Sequence, residues 1–155
     1  MTDEEKLFEM VERCVADAML ALENDCPLVP FAKLLIQDGT VRDMACDDGE
    51  EKQCYETLLE RLRGEVKMGD IDAVALVARV TIPEQYNAPS PQGIRIHLEE
   101  KAQVQKKISA RLLYVPYDLF VTDGDAKRSV MLHNPIAIGM PMEIYHAREG
   151  GEAPR

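Results

Sequence analysis

Arg95, His97 and Glu99 stand two apart in the run Ile94-Arg95-Ile96-His97-Leu98-Glu99, where every second residue is Ile or Leu. On an extended strand such residues project to one side, so an imidazole would sit between a guanidinium and a carboxylate. That set suits general acid–base work, with the carboxylate orienting the imidazole and the guanidinium holding an anion. Charged residues alternating along a solvated strand face also serve plain cross-strand pairing, which is the preferred account. The three are the candidate binding residues, and no catalytic residue is assigned. Whether Arg111 on the following strand joins them or faces away depends on register.

Other chemistry finds less support. Asp43, Asp47, Asp48, Glu50 and Glu51 lie close together. Setting Gly49 as the sixth residue of a calcium loop, however, puts Met44 and Cys46 at the first and third ligand positions. Gly124 fails in the same way, with Leu119 at the first position. Acids leading into a helix are better explained by its capping and by its positive end. His97, His133 and His146 are the only histidines, and none has another at helical ligand spacing, so no metal is expected. The serines Ser90, Ser109 and Ser129 lack a nucleophile motif, and no phosphate-binding glycine loop occurs, so no cofactor is expected. Cys46 and Cys54 flank the start of a helix without a histidine nearby in sequence.

Thr2-Asp3-Glu4-Glu5 is a capping box, and Leu7, Val11, Cys14, Ala18 and Leu22 follow at helical spacing, joined by Phe8, Val15 and Met19. The pattern predicts a helix to about Glu23 with Cys14 in the core. Pro27 and Pro30 close it. Two apolar runs, 31–36 and 40–45, flank Asp38-Gly39, where glycine supplies the positive φ of a hairpin turn. Asp48-Gly49-Glu50-Glu51 opens a second helix with Tyr55, Leu58, Leu59, Leu62 and Val66 as its stripe. Residues 73–82 are apolar at both parities until Arg79, as in a central strand covered on both faces. After a long turn at 83–92, residues 94–99 alternate as a strand with one wet face, and Ile108, Ala110, Leu112 and Tyr114 continue as its hairpin partner. Pro116 is expected to end that partner. Residues 121–125 read as a turn. Between 130 and 145 an apolar run broken by Pro135, Gly139 and Pro141 reads as an edge strand or an irregular cover.

The expected fold is therefore α+β: an antiparallel sheet of about five strands with two helices on one face, in the order α-β-β-α-β-β-β plus an extra edge strand. Residues 1–147 form one domain, and 148–155 a frayed tail. The 155 residues suit one core, and 46% apolar with 30% charged residues excludes a disordered chain. The most apolar run, 71–78, is far below the roughly 20 residues a membrane helix needs. An acidic start and four cysteines without a C-x-x-C pair point to reduced thiols and the cytoplasm. Net charge is −10, and its excess is confined to residues 1–60, which hold sixteen acidic and five basic side chains. Such a surface repels a phosphate backbone, so no nucleic-acid partner is expected, and Lys101, Lys106, Lys107 and Arg111 read as a solvated hairpin edge.

The element order is similar to that of roadblock-like and profilin-like domains, which implies a scaffold or sensor, although their closing helix is missing. Pro30-Phe31-Ala32, the Asp38-Gly39 turn, the strands 72–78 and 94–99 and the exit Val115-Pro116-Tyr117 also resemble a group of small acidic bacterial proteins of unknown function. That likeness covers roughly residues 5–118 and implies no activity, cofactor or site. The expected function is a non-catalytic protein-interaction or regulatory domain, forming a homodimer or meeting a basic protein partner. Met131, Met140 and Met142 around Ile136 and Ile138 offer an adaptable apolar surface for this role. A small-molecule-binding domain and an enzyme of unknown reaction are the alternatives.

Overall fold

A computed structural model describes residues 2–24, 28–46, 50–121 and 128–145. Asp47, Asp48, Gly49, His146, the 121–125 turn beyond Val121 and the expected tail 148–155 lie outside the described residues.

Local chemistry sets the first half. The Thr2 hydroxyl accepts the Glu5 amide at 3.1 Å and starts α1 (Asp3–Glu23), which buries Leu7, Met10, Cys14, Ala18 and Leu22. Strands β1 (Phe31–Ile36) and β2 (Val41–Ala45) pair antiparallel across a turn where Gly39 has φ +93°. Asp38 Oδ1 accepts from the Thr40 amide at 2.9 Å and its hydroxyl at 2.6 Å, closing that turn. Helix α2 (Glu51–Val66) buries Cys54, Leu58 and Leu62, and Glu50 at its N-cap makes no side-chain capping bond. Then come β3 (Ile71–Thr81), a 3₁₀ turn at Glu84–Tyr86, β4 (Gln92–Glu100), β5 (Ala110–Val121), β6 (Arg128–Leu132) and β7 (Ile136–Met140).

The α+β class, the antiparallel sheet and the element order agree with expectation. The strands run β2-β1-β3-β4-β5-β6, with β7 also on β5. The expected single edge strand is thus two strands that share the long β5, which pairs with β7 over Ala110–Tyr114 and with β6 over Tyr117–Val121. Among the described residues, no helix is long and apolar enough to cross a membrane.

Two expectations are corrected. The helices do not share a face: Ala73, Ala75 and Val77 pack with α1, whereas Val74 and Leu76 pack with Leu58 and Leu62 of α2. Alternate residues of a strand point to opposite sides, so the doubly apolar β3 is covered on both. Pro116 does not end β5. Its carbonyl accepts the His133 amide at 2.8 Å, just past the last β6 pair, Tyr117 with Leu132. The nitrogen and carbonyl of one strand residue face the same edge, so the missing N–H forfeits only the return bond to the His133 carbonyl, just past the end of β6, and leaves the pairing with β4 intact.

Candidate functional site

Register settles where the three sequence candidates point. Arg95, His97 and Glu99 pair with Ala78, Leu76 and Val74 of β3, so all three lie on the α2 face, as their spacing requires. Arg111 pairs with Leu98 and faces the other way, where its guanidinium meets Glu100 at 2.5 Å. The face that carries the three is not wet: His97 is 2% exposed and Glu99 is 0% exposed. Helix α2 and the irregular residues 142–145 cover it.

Glu99 is the centre of the arrangement. His97 Nε2 lies 2.5 Å from its Oε2 and donates to it, since an ionised carboxylate can only accept. Three consecutive main-chain amides donate as well. Glu143 reaches Oε2 at 2.7 Å, Ile144 reaches both oxygens at 3.1 and 3.0 Å, and Tyr145 reaches Oε1 at 3.0 Å. Burial opposes the charge, but the bonds from His97 and from the Glu143 and Tyr145 amides outweigh it and hold the carboxyl below its ordinary range. Around this centre the Tyr145 hydroxyl donates to the Ile71 carbonyl at 2.8 Å, and Arg63 Nε donates to the Glu143 carbonyl at 3.0 Å. Ile144 packs in the core beside Leu58 and Leu62.

Arg95 lies apart from this knot. Its guanidinium stands 5.0 Å over the Tyr55 ring of α2, and its Nε is buried without a hydrogen-bond partner. Burial raises the Tyr55 hydroxyl pKa, with the Arg95 charge pulling the other way. Chemically, the closed arrangement is a carboxylate saturated by donors: it binds the chain's own backbone, while Arg95 keeps donor capacity.

Sequence reasoning missed Lys33. Its side chain is 5% exposed, yet its ammonium reaches Asp17 of α1 at 2.7 Å and Asp43 of β2 at 2.5 Å. It also stands 5.7 Å over the Phe31 ring. Burial works against its charge, but the bonds to the two carboxylates prevail and raise its pKa. The residues were available as signals: one Lys inside an apolar strand, with Asp43 opposite it across the Asp38-Gly39 hairpin. Asp17, Leu28, Phe31 and Met44 line a concavity of about 280 Å³ with this group. The neighbouring Cys14 thiol is pushed up to about 12 by burial, which makes it a poor nucleophile.

A wider cleft of about 710 Å³ opens between the start of α1, the start of β3 and the β4–β5 connection. Leu7, Leu35 and Ala73 give it apolar walls, and Asp72, Glu100 and Lys106 give it charge. Elsewhere, His133 Nε2 meets Asp118 at 2.7 Å on the β5–β6 hairpin. Among the described residues, no three His, Cys, Asp or Glu side chains are grouped to hold a metal ion.

Compared with protein-family models, with curated proteins and with solved structures, the chain matches none.

Proposed function

We propose that the chain is a non-catalytic protein-interaction domain that works as a homodimer through the outer face of the β5–β6 hairpin. The observation that carries this reading is an apolar pair on that face, Phe120 at 51% and Met131 at 52% exposure. Phe120 pairs with Ser129 and Met131 with Asp118, so the two side chains are diagonal neighbours on one side of the hairpin. Strand β6 ends the strand order, and an edge with exposed apolar residues favours association with another chain. Val130 and Leu132 of β6 pack toward α1, so Phe120 and Met131 lie on the side of the hairpin turned away from that acidic helix, where a second copy meets less like charge. His97 and Glu99, the residues best suited to acid–base work, are buried and bonded to each other and to the backbone, which supports a non-catalytic role for the closed fold. The acidic charge supports the absence of a nucleic-acid partner, and the reading of the thiols as reduced supports the cytoplasm.

Sedimentation equilibrium over about 1–100 μM, the range of weak to moderate interfaces, tests the reading. A dimer is expected, with Phe120→Asp reverting it to monomer while the fold is kept. A wild-type chain that stays monomeric throughout overturns it.

The second reading is small-molecule binding, favoured by the 710 Å³ cleft, whose size is within the range of ligand sites. Native mass spectrometry of gently purified protein tests it. An added small mass that is lost on Leu7→Lys supports the cleft, and a bare chain counts against it.

A further inference from the structure

Residues 142–145 belong to neither a helix nor a strand, yet three of their amides donate to the carboxylate of the only buried imidazole–carboxylate pair among the described residues. Their attachment differs in kind from that of β7, which immediately precedes them. Five register pairs spread along β5 hold β7, whereas the amides of Glu143, Ile144 and Tyr145 all converge on the one Glu99 carboxylate. Bonds that share one acceptor are lost together. When the segment lifts, its amides and the carboxylate both pass into water, so none of them is stranded in a dry interior. Pulling out a central strand such as β3 would instead break ladders on both its edges.

From this geometry we propose that residues 142–145 are a strap that opens as a unit while the sheet stays folded. Its opening exposes His97 and Glu99 as a latent acid–base pair. Near the pair stand Arg95, two residues from His97 on the same face of β4 and over the Tyr55 ring of α2, and Glu143 and Tyr145 on the strap itself, with Arg63 of α2 holding the Glu143 carbonyl. The closed state is the one in which the pair is structural. In the open state His97 is solvated and keeps its carboxylate neighbour, with Arg95, whose Nε has no partner, two residues away on the same face. Strap opening is independent of the homodimer reading.

The test is amide hydrogen exchange on the full chain at several low urea concentrations, together with diethyl pyrocarbonate labelling of histidines read by peptide mass. In the wild type, the amides of Glu143, Ile144 and Tyr145 should exchange at one common opening constant, at least about tenfold larger than that of the β3 amides and with a clearly weaker urea dependence than theirs. Glu99→Gln should raise strap exchange by at least about tenfold again, the equivalent of one charge-assisted hydrogen bond. His97 labelling should accelerate with it. Strap amides that exchange only in step with β3, with the same urea dependence, would overturn the proposal. So would fast strap exchange with His97 left unlabelled. The wild-type measurement decides even if the variant fails to fold.

Discussion

Glu99→Gln is the substitution whose effect follows most directly from the structure. The carboxylate takes bonds from three main-chain amides and from His97, and it is fully buried. Glutamine keeps one acceptor oxygen but turns an NH₂ group toward the donors of the other, so at least the Tyr145 bond and one of the two Ile144 contacts are lost. A hydrogen bond to a charged group contributes about 1.5–3 kcal/mol, and removing one side of a buried charged network costs about 3–5 kcal/mol. The strap limits the loss. Once it opens, its amides are hydrated, so the variant cannot lose more than the opening free energy of the strap in the wild type. Urea unfolding followed by circular dichroism should therefore show a midpoint lowered by roughly 2 M, for a slope of about 2 kcal/mol/M. The same free energy should appear in wild-type exchange as strap protection of roughly 10²–10⁴. Glu100→Gln is the control, because its Arg111 pair is half exposed and contributes at most about 1 kcal/mol. A loss below about 1 kcal/mol for Glu99→Gln, equal to that of the control, would refute the reasoning.

The pH dependence of stability should carry the same signature. Glu99 is held below its ordinary range, so its contribution is complete above the unfolded carboxyl value of about 4.3 and is lost as pH falls through the lower folded value. Glu99→Gln should flatten that acid limb in chemical-denaturation curves taken from pH 2 to 6, an interval that spans the carboxyl range. Lys33 has the opposite sign: its raised pKa gives stability that is complete below about 10.4 and lost as pH rises through the folded value. Its partners Asp17 and Asp43 are 54% and 74% exposed and return to water without it. Lys33→Met should thus stay within about 1 kcal/mol of wild type and flatten the alkaline limb. Lys33→Ala, which also removes the packed stem, should cost about 2 kcal/mol or more in the same urea assay. Gly93→Ala should destabilise by about 1–3 kcal/mol, because a Cβ there would lie 2.6 Å from Ile82 Cδ1 and 2.7 Å from its Cγ1. In a double-mutant cycle Ile82→Ala should remove most of that penalty, and additive losses would show that the crowding lies elsewhere.

Much of the framework was legible because its causes are local. Thr2 and Glu5 start α1 within one turn, the burial of Leu7, Cys14, Ala18 and Leu22 follows from their spacing, and Gly39 supplies the left-handed residue that the first hairpin requires. The doubly apolar run of β3 already implied cover on both faces. On the α1 stripe, Phe8 joins the apolar positions by spacing yet is exposed, while Met10 is buried. Spacing defines a face and not its edges.

The candidate site was legible only as three residues on one side of a strand. Alternation reports the direction of a side chain and carries no information about what lies in that direction. The cover over Glu99 comes from Glu143, Ile144 and Tyr145, which are 44 to 46 residues away in sequence. Register, which turns Arg111 away from His97, depends likewise on the pairing of β4 with β5. The α+β class, the turn chemistry and the shared face of Arg95, His97 and Glu99 follow from backbone geometry over a few residues and can be read in the chain itself. That the face is dry and that its carboxylate holds residues 143–145 depends on distant segments that folding brings together.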